Sequence, residues 1–257
     1  MIDAILPASA CCAEAFADEA AQTPFPEEMA MVANAVDKRR REFVTGRRCA
    51  RDALRSLGIE PAPILAGERG MPQWPPGVVG SITHCAGYRA AAVARSGDLL
   101  AIGIDAEPDG PLPAGVLDVV SLPAERGRLR AQAEARPAVH WDRVLFSAKE
   151  SVYKAWFPLT RRWLGFDEAE ITLGTVDGTV AGSVHGGADR SGGGTVDGTV
   201  DGSVGGTVEA RFLVPGPVIG GQPLAGVSGR WLARDGLVLT AITVTPRATQ
   251  WRPGQPG

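Results

Sequence analysis

Several features that would assign this 257-residue sequence to a specialised class of protein are absent from it. No apolar run approaches the ~20 residues that a membrane-spanning helix requires. Residues 1–7 carry no basic stretch ahead of an apolar one, so no secretory signal is predicted. The formal net charge of −3 gives no overall reason to expect nucleic-acid binding. We therefore expect a cytoplasmic protein that binds neither membrane nor nucleic acid.

Cysteine is scarce, and its spacing does not match the common cysteine-dependent architectures. The four residues are Cys11, Cys12, Cys49 and Cys85, with no C-x-x-C among them. This spacing fits neither a zinc site nor a small disulfide framework, so four thiols in a reducing compartment are expected. The composition, 44% hydrophobic and 21% charged, is that of an ordinary globular protein, whose length allows one large domain or two small ones.

The clearest helix is predicted over residues 141–157, with Pro158 ending it. Apolar and amphipathic side chains recur there at spacings of three and four, which places them on one packed stripe. They are Leu145, Phe146, Lys149, Val152, Tyr153 and Trp156. Glu150 and Lys154 stand four residues apart and share a helix face. By themselves they form either a solvated stabilising pair or part of a site.

An earlier helix is predicted over residues 27–57, ending at Gly58. It carries a dense set of cations, including Arg47, Arg48 and Arg51. These cations form either a solvated basic face or a clamp for phosphate groups. A hairpin of two strands, 78–84 and 89–94, follows and brings Ser81, Thr83 and His84 to a strand end. These three residues are either structural or part of a site.

The apolar run at 99–108 predicts a buried strand that ends in two acids, Asp105 and Glu107. Alternation along a strand directs both carboxylates to the same side, where they repel each other. A bound cation would remove that repulsion, and a few hard oxygen ligands are typical of Mg²⁺ held against substrate phosphates. Solvated acids at a strand end are the equal alternative.

The remaining chain predicts an α+β protein. Residues 109–139 form a connector with short helices near 115–122 and 124–135, whose apolar residues either pack in the core or dock a partner. A strand begins at Glu170, and a glycine-rich low-complexity insert covers residues 174–206. A hairpin of strands 227–234 and 237–244 turns at Asp235-Gly236. Helix followed by strands thus occurs twice along the chain.

Three ordered motifs carry a resemblance to a known family. Gly103-Ile104-Asp105-Ala106-Glu107 is followed about forty residues later by the segment Phe146-Ser147-Ala148-Lys149-Glu150-Ser151-Val152-Tyr153-Lys154, and Gly80-Ser81-Ile82-Thr83-His84 lies upstream. Together they resemble the signature of the 4′-phosphopantetheinyl transferases, Sfp-type, in particular the actinobacterial branch. The resemblance implies two pseudo-symmetric α/β halves, each an antiparallel-rich sheet packed on a long helix. We expect these halves at residues 1–103 and 104–257.

The resemblance also implies an activity, namely transfer of the phosphopantetheine arm of coenzyme A to a serine of an apo acyl or peptidyl carrier protein. Glu150 and Lys154 would be catalytic, and Mg²⁺ would be held by Asp105, Glu107 and Glu150. Coenzyme A would be bound by a further set. Its members are Arg47, Arg51, Arg69, Ser81, Thr83 and His84.

We expect a monomer that releases adenosine 3′,5′-bisphosphate. Two alternatives stay open at this point. One is a catalytically idle module that binds coenzyme A or a nucleotide through the same fold. The other is a Mg²⁺-dependent pyrophosphate hydrolase, which would cleave coenzyme A without any carrier protein.

Overall fold

The computed structural model describes residues 1–18, 25–175 and 203–246, and these form five α-helices, two short 3₁₀ helices and ten strands. The helices are α1 Pro26–Met31, α2 Asp37–Ser56, α3 Val116–Val120, α4 Pro123–Ala135 and α5 Trp141–Thr160. The strands are β1 Ala10–Ala15, β2 Val78–Cys85, β3 Tyr88–Arg95, β4 Ala101–Pro108, β5 Ala169–Leu173, β6 Val204–Phe212, β7 Val218–Ile219, β8 Gln222–Pro223, β9 Gly226–Arg234 and β10 Leu237–Val244.

The first half consists of α2 packed on a three-stranded antiparallel sheet, in the order β1-β3-β2. The central strand β3 is rich in alanine and almost completely buried. Its small side chains let the helix approach closely, and Ala50, Ala53 and Leu54 of α2 pack with Ala91 and Val93 in one apolar cluster. Because this cluster uses one face of α2, the opposite face is left for charged residues.

The second half consists of α5 packed on a five-stranded antiparallel sheet, in the order β4-β10-β9-β6-β5. Gly103 of β4 lies directly beneath α5, since a Cβ atom there would be only 1.9 Å from the carbonyl oxygen of Ser151. The β9–β10 hairpin turns at Asp235 and Gly236, which both have positive φ as the favoured two-residue turn requires. The predicted hairpin and the predicted α+β class are confirmed.

Strands β2 and β4 lie side by side where the two halves meet, and side chains link them. The hydroxyl of Ser81 accepts the backbone N–H of Ile104 at 3.1 Å, and the hydroxyl of Thr83 accepts that of Ala106 at 3.1 Å. Both hydroxyls are buried and satisfy backbone groups that would otherwise lack a partner. The acid-bearing end of β4 is thereby fixed between the two halves.

Several sequence-based boundaries need correction. The helix predicted over 27–57 is divided, because residues 32–36 leave the helical conformation between α1 and α2. Helix α5 continues through Pro158 to Thr160 and ends at Arg161, which has a left-handed φ of 55°. A proline in the last turn removes only one backbone hydrogen bond, and the buried residues of that turn hold it in place. Strand β1 was missed, because its small residues show no clear alternation.

The predicted low-complexity insert falls mostly on residues 176–202, outside the described residues. Its last positions, 204–206, are not part of a loop but begin β6, paired with β9. The predicted boundary between the halves at 103/104 lies within β4, all of which pairs with β10. In the part of the chain that the structure describes, no helix has the length and apolar character to cross a bilayer.

Candidate active site

A cleft of about 500 Å³ opens between the two halves, and it collects most of the residues that the sequence singled out. Helix α2, the segment 66–72 and β2 line one side, and α5 lines the other. The predicted site residues that line it are Arg47, Arg69, Ser81, His84, Glu150 and Lys154. Apolar side chains such as Phe43, Ile82 and Phe157 line the rest. The cleft therefore offers cationic, acidic and apolar surface to a single ligand.

Lys154, which lines the cleft, forms an ion pair with Asp105, which does not line it. The Lys154 ammonium donates to Asp105 Oδ1 at 2.7 Å and to the Ile104 carbonyl at 3.0 Å. The Thr83 hydroxyl lies 3.4 Å from the same Oδ1. Asp105 is 5% exposed, and its Oδ2 is buried with no hydrogen-bond partner among the described residues. One oxygen of this carboxylate is thus held, and the other lacks a partner.

Glu107 and Glu150 lie within electrostatic reach of Asp105. Burial, and then the charge of Asp105, raise the pKa of Glu107, and Arg143 opposes the shift through an ion pair of 2.9 Å. Burial, and then Asp105, likewise raise the pKa of Glu150, and Lys154 opposes that shift. Asp105 therefore repels both Glu107 and Glu150, as the alternation argument expected for Asp105 and Glu107.

The structure does not gather these carboxylates into a finished metal site. Among the described residues, no three His, Cys, Asp or Glu side chains are grouped closely enough to hold a metal ion. Mg²⁺, however, commonly takes only one or two carboxylates and completes its shell with phosphate oxygens and water. An unpartnered buried oxygen on Asp105, beside two carboxylates with raised pKa values, is a donor set that suits such an ion.

The side of the cleft that the first half supplies carries several cations. Arg39 lies within hydrogen-bonding distance of His84 Nε2, and Glu42 lies 3.8 Å from Nδ1. Because the guanidinium donates to Nε2, the ring proton belongs on Nδ1. Burial, and then Arg39, lower the pKa of His84. Arg39 was not selected from the sequence, where it belongs to the basic run 38–41, and Glu42, which follows that run, was not selected either.

Arg47 lines the cleft from a fixed position. Its Nε donates to the Ile64 carbonyl at 2.8 Å, and its guanidinium lies 4.5 Å from the centre of the Phe43 ring. Burial lowers the pKa of Arg47 to about 10, which still leaves it charged at neutral pH. Arg69, at a left-handed φ of 52°, lies 5.4 Å from the Trp163 ring at the rim of the cleft. Both cations line the cleft, and their assignment to coenzyme A stays a prediction.

Four of the predicted site residues, Arg51, Thr83, Asp105 and Glu107, are not among the residues that line the cleft. Arg51 is 3% exposed and donates to Glu28 at 2.6 Å, and the second oxygen of Glu28 accepts the Ile64 N–H at 2.9 Å. This ion pair joins α1, α2 and the segment after α2. Thr83 is 2% exposed and contacts β4 instead. The sequence could not distinguish Arg51 and Thr83 from neighbours such as Arg47 and Ser81, which are also buried but line the cleft.

Comparison with known families agrees with this architecture. The 4′-phosphopantetheinyl transferase N-terminal domain matches residues 27–94, and the 4′-phosphopantetheinyl transferase superfamily matches residues 101–189. The chain therefore belongs to the 4′-phosphopantetheinyl transferase family, an enzyme class of transferases. The two matches meet between β3 and β4, where the chain passes from one half to the other.

Individual relatives cover nearly the whole chain. The 4′-phosphopantetheinyl transferase Svp of Streptomyces mobaraensis is 53% identical, over 96% of this chain and 91% of its own length. PptT of Mycobacterium tuberculosis is 48% identical over 95% and 98%, and Npt of Nocardia iowensis is 49% identical over 94% and 99%. The predicted actinobacterial branch is confirmed, and phosphopantetheine transfer is favoured over the idle module.

Proposed function

We propose that this chain moves the 4′-phosphopantetheine arm of coenzyme A onto a serine of an apo acyl or peptidyl carrier protein and releases adenosine 3′,5′-bisphosphate. One observation carries the proposal: Glu150 and Lys154 face the cations of the first half across a single cleft. Such a cleft can hold a polyphosphate ligand beside a base. Family membership supports the same reaction.

Coenzyme A would bind along the cleft, with its phosphates toward the cations. Arg47, Arg69 and His84 supply donors there, and Arg39 adds a charge beside His84. A fixed guanidinium suits phosphate because its N–H groups match two oxygens at once. The apolar lining around Phe43 and Ile82 would cover the uncharged parts of the ligand and exclude water.

We propose Mg²⁺ as the cofactor, held by Asp105, Glu107 and Glu150 together with the pyrophosphate. When bound, the ion would neutralise charge on the phosphate oxygens. The unpartnered Asp105 Oδ2 and the raised pKa values of the other two carboxylates support this assignment. These three residues come from β4 and α5, so the second half supplies the whole acidic set.

Glu150 would accept the proton of the carrier serine as its oxygen forms a bond to the phosphorus that carries the pantetheine arm. A raised pKa improves a carboxylate as a base near neutral pH. The bond from that phosphorus to the bridging oxygen then breaks, and adenosine 3′,5′-bisphosphate leaves. Two N–H bonds of Lys154 go to Ile104 and Asp105, and the third would meet the charge that grows on the departing phosphate.

The test is an intact-mass assay with coenzyme A, Mg²⁺ and a panel of apo carrier proteins. We expect carriers to gain one phosphopantetheine group with the wild-type chain and to gain none with Glu150→Gln or Asp105→Ala. A carrier-free reaction is the control, because a pyrophosphate hydrolase would release adenosine bisphosphate there. Failure of every carrier, or release without a carrier, would refute the proposed transfer.

We further propose that the chain acts as a monomer in the cytoplasm, with no contact to nucleic acid or membrane. All four cysteines are free in the structure, which is typical of a reducing compartment. Sedimentation equilibrium of the purified chain at micromolar concentration would test the monomer, since a dimer would double the fitted mass.

A further inference from the structure

Arg143, on the first turn of α5, makes a three-way set of hydrogen bonds near the acidic end of β4. Its Nη1 donates to Glu107 Oε2 at 2.9 Å, its Nε donates to the Gly110 carbonyl at 2.9 Å, and its Nη2 donates to the Pro111 carbonyl at 2.7 Å. The ion pair with Glu107 is largely shielded, since the two side chains are 15% and 20% exposed. Neither the predicted function nor the sequence motifs use this residue.

The guanidinium is fixed independently of Glu107. Two of its three donor atoms bind backbone carbonyls of the turn after β4. Because the guanidinium group is planar, these two bonds set the direction of the third donor. Arg143 therefore presents a single N–H donor to Glu107 in a fixed position. A lysine ammonium could reach one of these three acceptors, but it lacks the planar guanidinium and could not donate to all three in the same arrangement.

A carboxylate accepts up to about four hydrogen bonds through its two oxygens. The bond from Arg143 occupies Oε2, so the carboxylate keeps a second oxygen for another partner. Without a fixed donor, Glu107 would be free to rotate away from Asp105, because the two charges repel. The cation from α5 holds the two acids of β4 in adjacent places despite that repulsion.

We propose that Arg143 is a positioning residue for Mg²⁺: it orients Glu107 through one oxygen and leaves the other for the ion. The inference rests on the proposed function, because it requires Glu107 to be a metal ligand. Groups that orient metal ligands commonly change metal affinity by about 10–100-fold when they are removed. Arg143 itself does not line the cleft.

The neighbouring Asp142 provides a matched control. It anchors the same turn, because its Oδ2 accepts the Leu112 N–H at 2.8 Å, but it does not contact Glu107. If Arg143 only held the turn in place, Asp142→Ala and Arg143→Gln would have the same effect. If Arg143 orients Glu107, only its own variants weaken Mg²⁺ binding.

The experiment measures Mg²⁺ binding to the full chain by calorimetry with saturating coenzyme A, and coenzyme A binding separately in EDTA. We expect Arg143→Gln to raise the Mg²⁺ dissociation constant about 10–100-fold, with coenzyme A affinity in EDTA unchanged. Arg143→Lys should also bind Mg²⁺ more weakly, since lysine keeps the positive charge but lacks the planar guanidinium. Asp142→Ala should retain the wild-type Mg²⁺ constant.

Two results would overturn the role of Arg143 and leave the proposed function standing. One is wild-type Mg²⁺ affinity in both Arg143 variants, and the other is a loss of Mg²⁺ affinity in Asp142→Ala equal to that in Arg143→Gln. If the wild-type chain transfers phosphopantetheine but binds no Mg²⁺, the metal assignment and the inference fail together while the transfer stands. If no carrier is modified, the proposed function fails. If Arg143→Gln does not fold, Arg143→Lys is the variant in which Mg²⁺ affinity is compared with the wild type.

Discussion

Lys149 precedes the candidate base Glu150 in the sequence, yet the structure gives it a structural environment away from the cleft. Its ammonium donates to Phe166 and Ala169 carbonyls at 2.6 Å each and pairs with Glu125 at 2.9 Å. The side chains of the ion pair are 2% and 1% exposed. Glu125 also accepts the Ile171 and Leu122 N–H groups. Every charge in this network therefore has partners while Lys149 is present.

The perturbation is Lys149→Met, which keeps the length of the side chain and removes the charge. The loss leaves a buried carboxylate without its cation, a change that costs about 3–5 kcal/mol. For a chain of this size, each 1 kcal/mol shifts the unfolding midpoint by roughly 2–4 °C, so the expected fall is roughly 6–20 °C. Removing both charges, in Lys149→Met with Glu125→Gln, should recover part of the loss, because no unpaired carboxylate is then left.

The assay is thermal and urea unfolding by circular dichroism, together with phosphopantetheine transfer measured well below the midpoint. Arg128→Met is the matched control, since it removes a cation from α4 that also reaches β5. Its ion pair with Glu170 is more exposed, at 38% and 19%. We expect that control to cost at most about 1 kcal/mol.

Two outcomes would refute the reasoning. A Lys149→Met protein as stable as Arg128→Met would mean that the buried pair contributes nothing beyond a surface pair. A Lys149→Met protein that stays folded but does not transfer phosphopantetheine would mean that the lysine acts in the reaction.

Three further predictions concern the site and the fold. In the metal-free chain the pKa of Glu150 should lie above 4.5, the ordinary value of a glutamate, because burial and the charge of Asp105 raise it; an NMR titration of its carboxyl carbon in EDTA with a midpoint at or below 4.5 would contradict this. Gly103→Ala should destabilise the chain by about 1–3 kcal/mol or more in urea unfolding, since its Cβ would meet Ser151, whereas Gly127→Ala on α4 meets nothing within 4 Å and should not. Replacing residues 176–202 by a short turn should preserve transfer, because Gly174 and Thr207 already exchange hydrogen bonds of 2.9 and 3.1 Å at the start of the removed segment; a folded but inactive deletion variant would contradict this.

Much of the site could be predicted because its chemistry depends on residues close together in sequence. Asp105 and Glu107 share a strand, and Glu150 and Lys154 share a helix, so local periodicity and motif resemblance found them. Arg51 shows where this reasoning stops. It has the same side chain as Arg47 and lies one turn away, but only packing against α1 buries it with Glu28.

Pairings across the seam were not predictable from the sequence. Nothing in the local pattern indicates that the Thr83 hydroxyl accepts a β4 backbone N–H, or that Lys154 pairs with Asp105 instead of Glu150. These contacts join residues 23 and 49 positions apart, so they depend on how distant segments pack together.

The sequence by itself determined most of the helices and strands of the two halves, the acidic strand end and the resemblance to a transferase family. Hydrophobic periodicity and turn residues act over a few positions, and the chain displays them directly. Only the tertiary structure decided which cations face the cleft and which lysine is structural. It also revealed that Arg143 holds Glu107. Burial and long-range contact determine those roles, and both arise only when distant segments pack together.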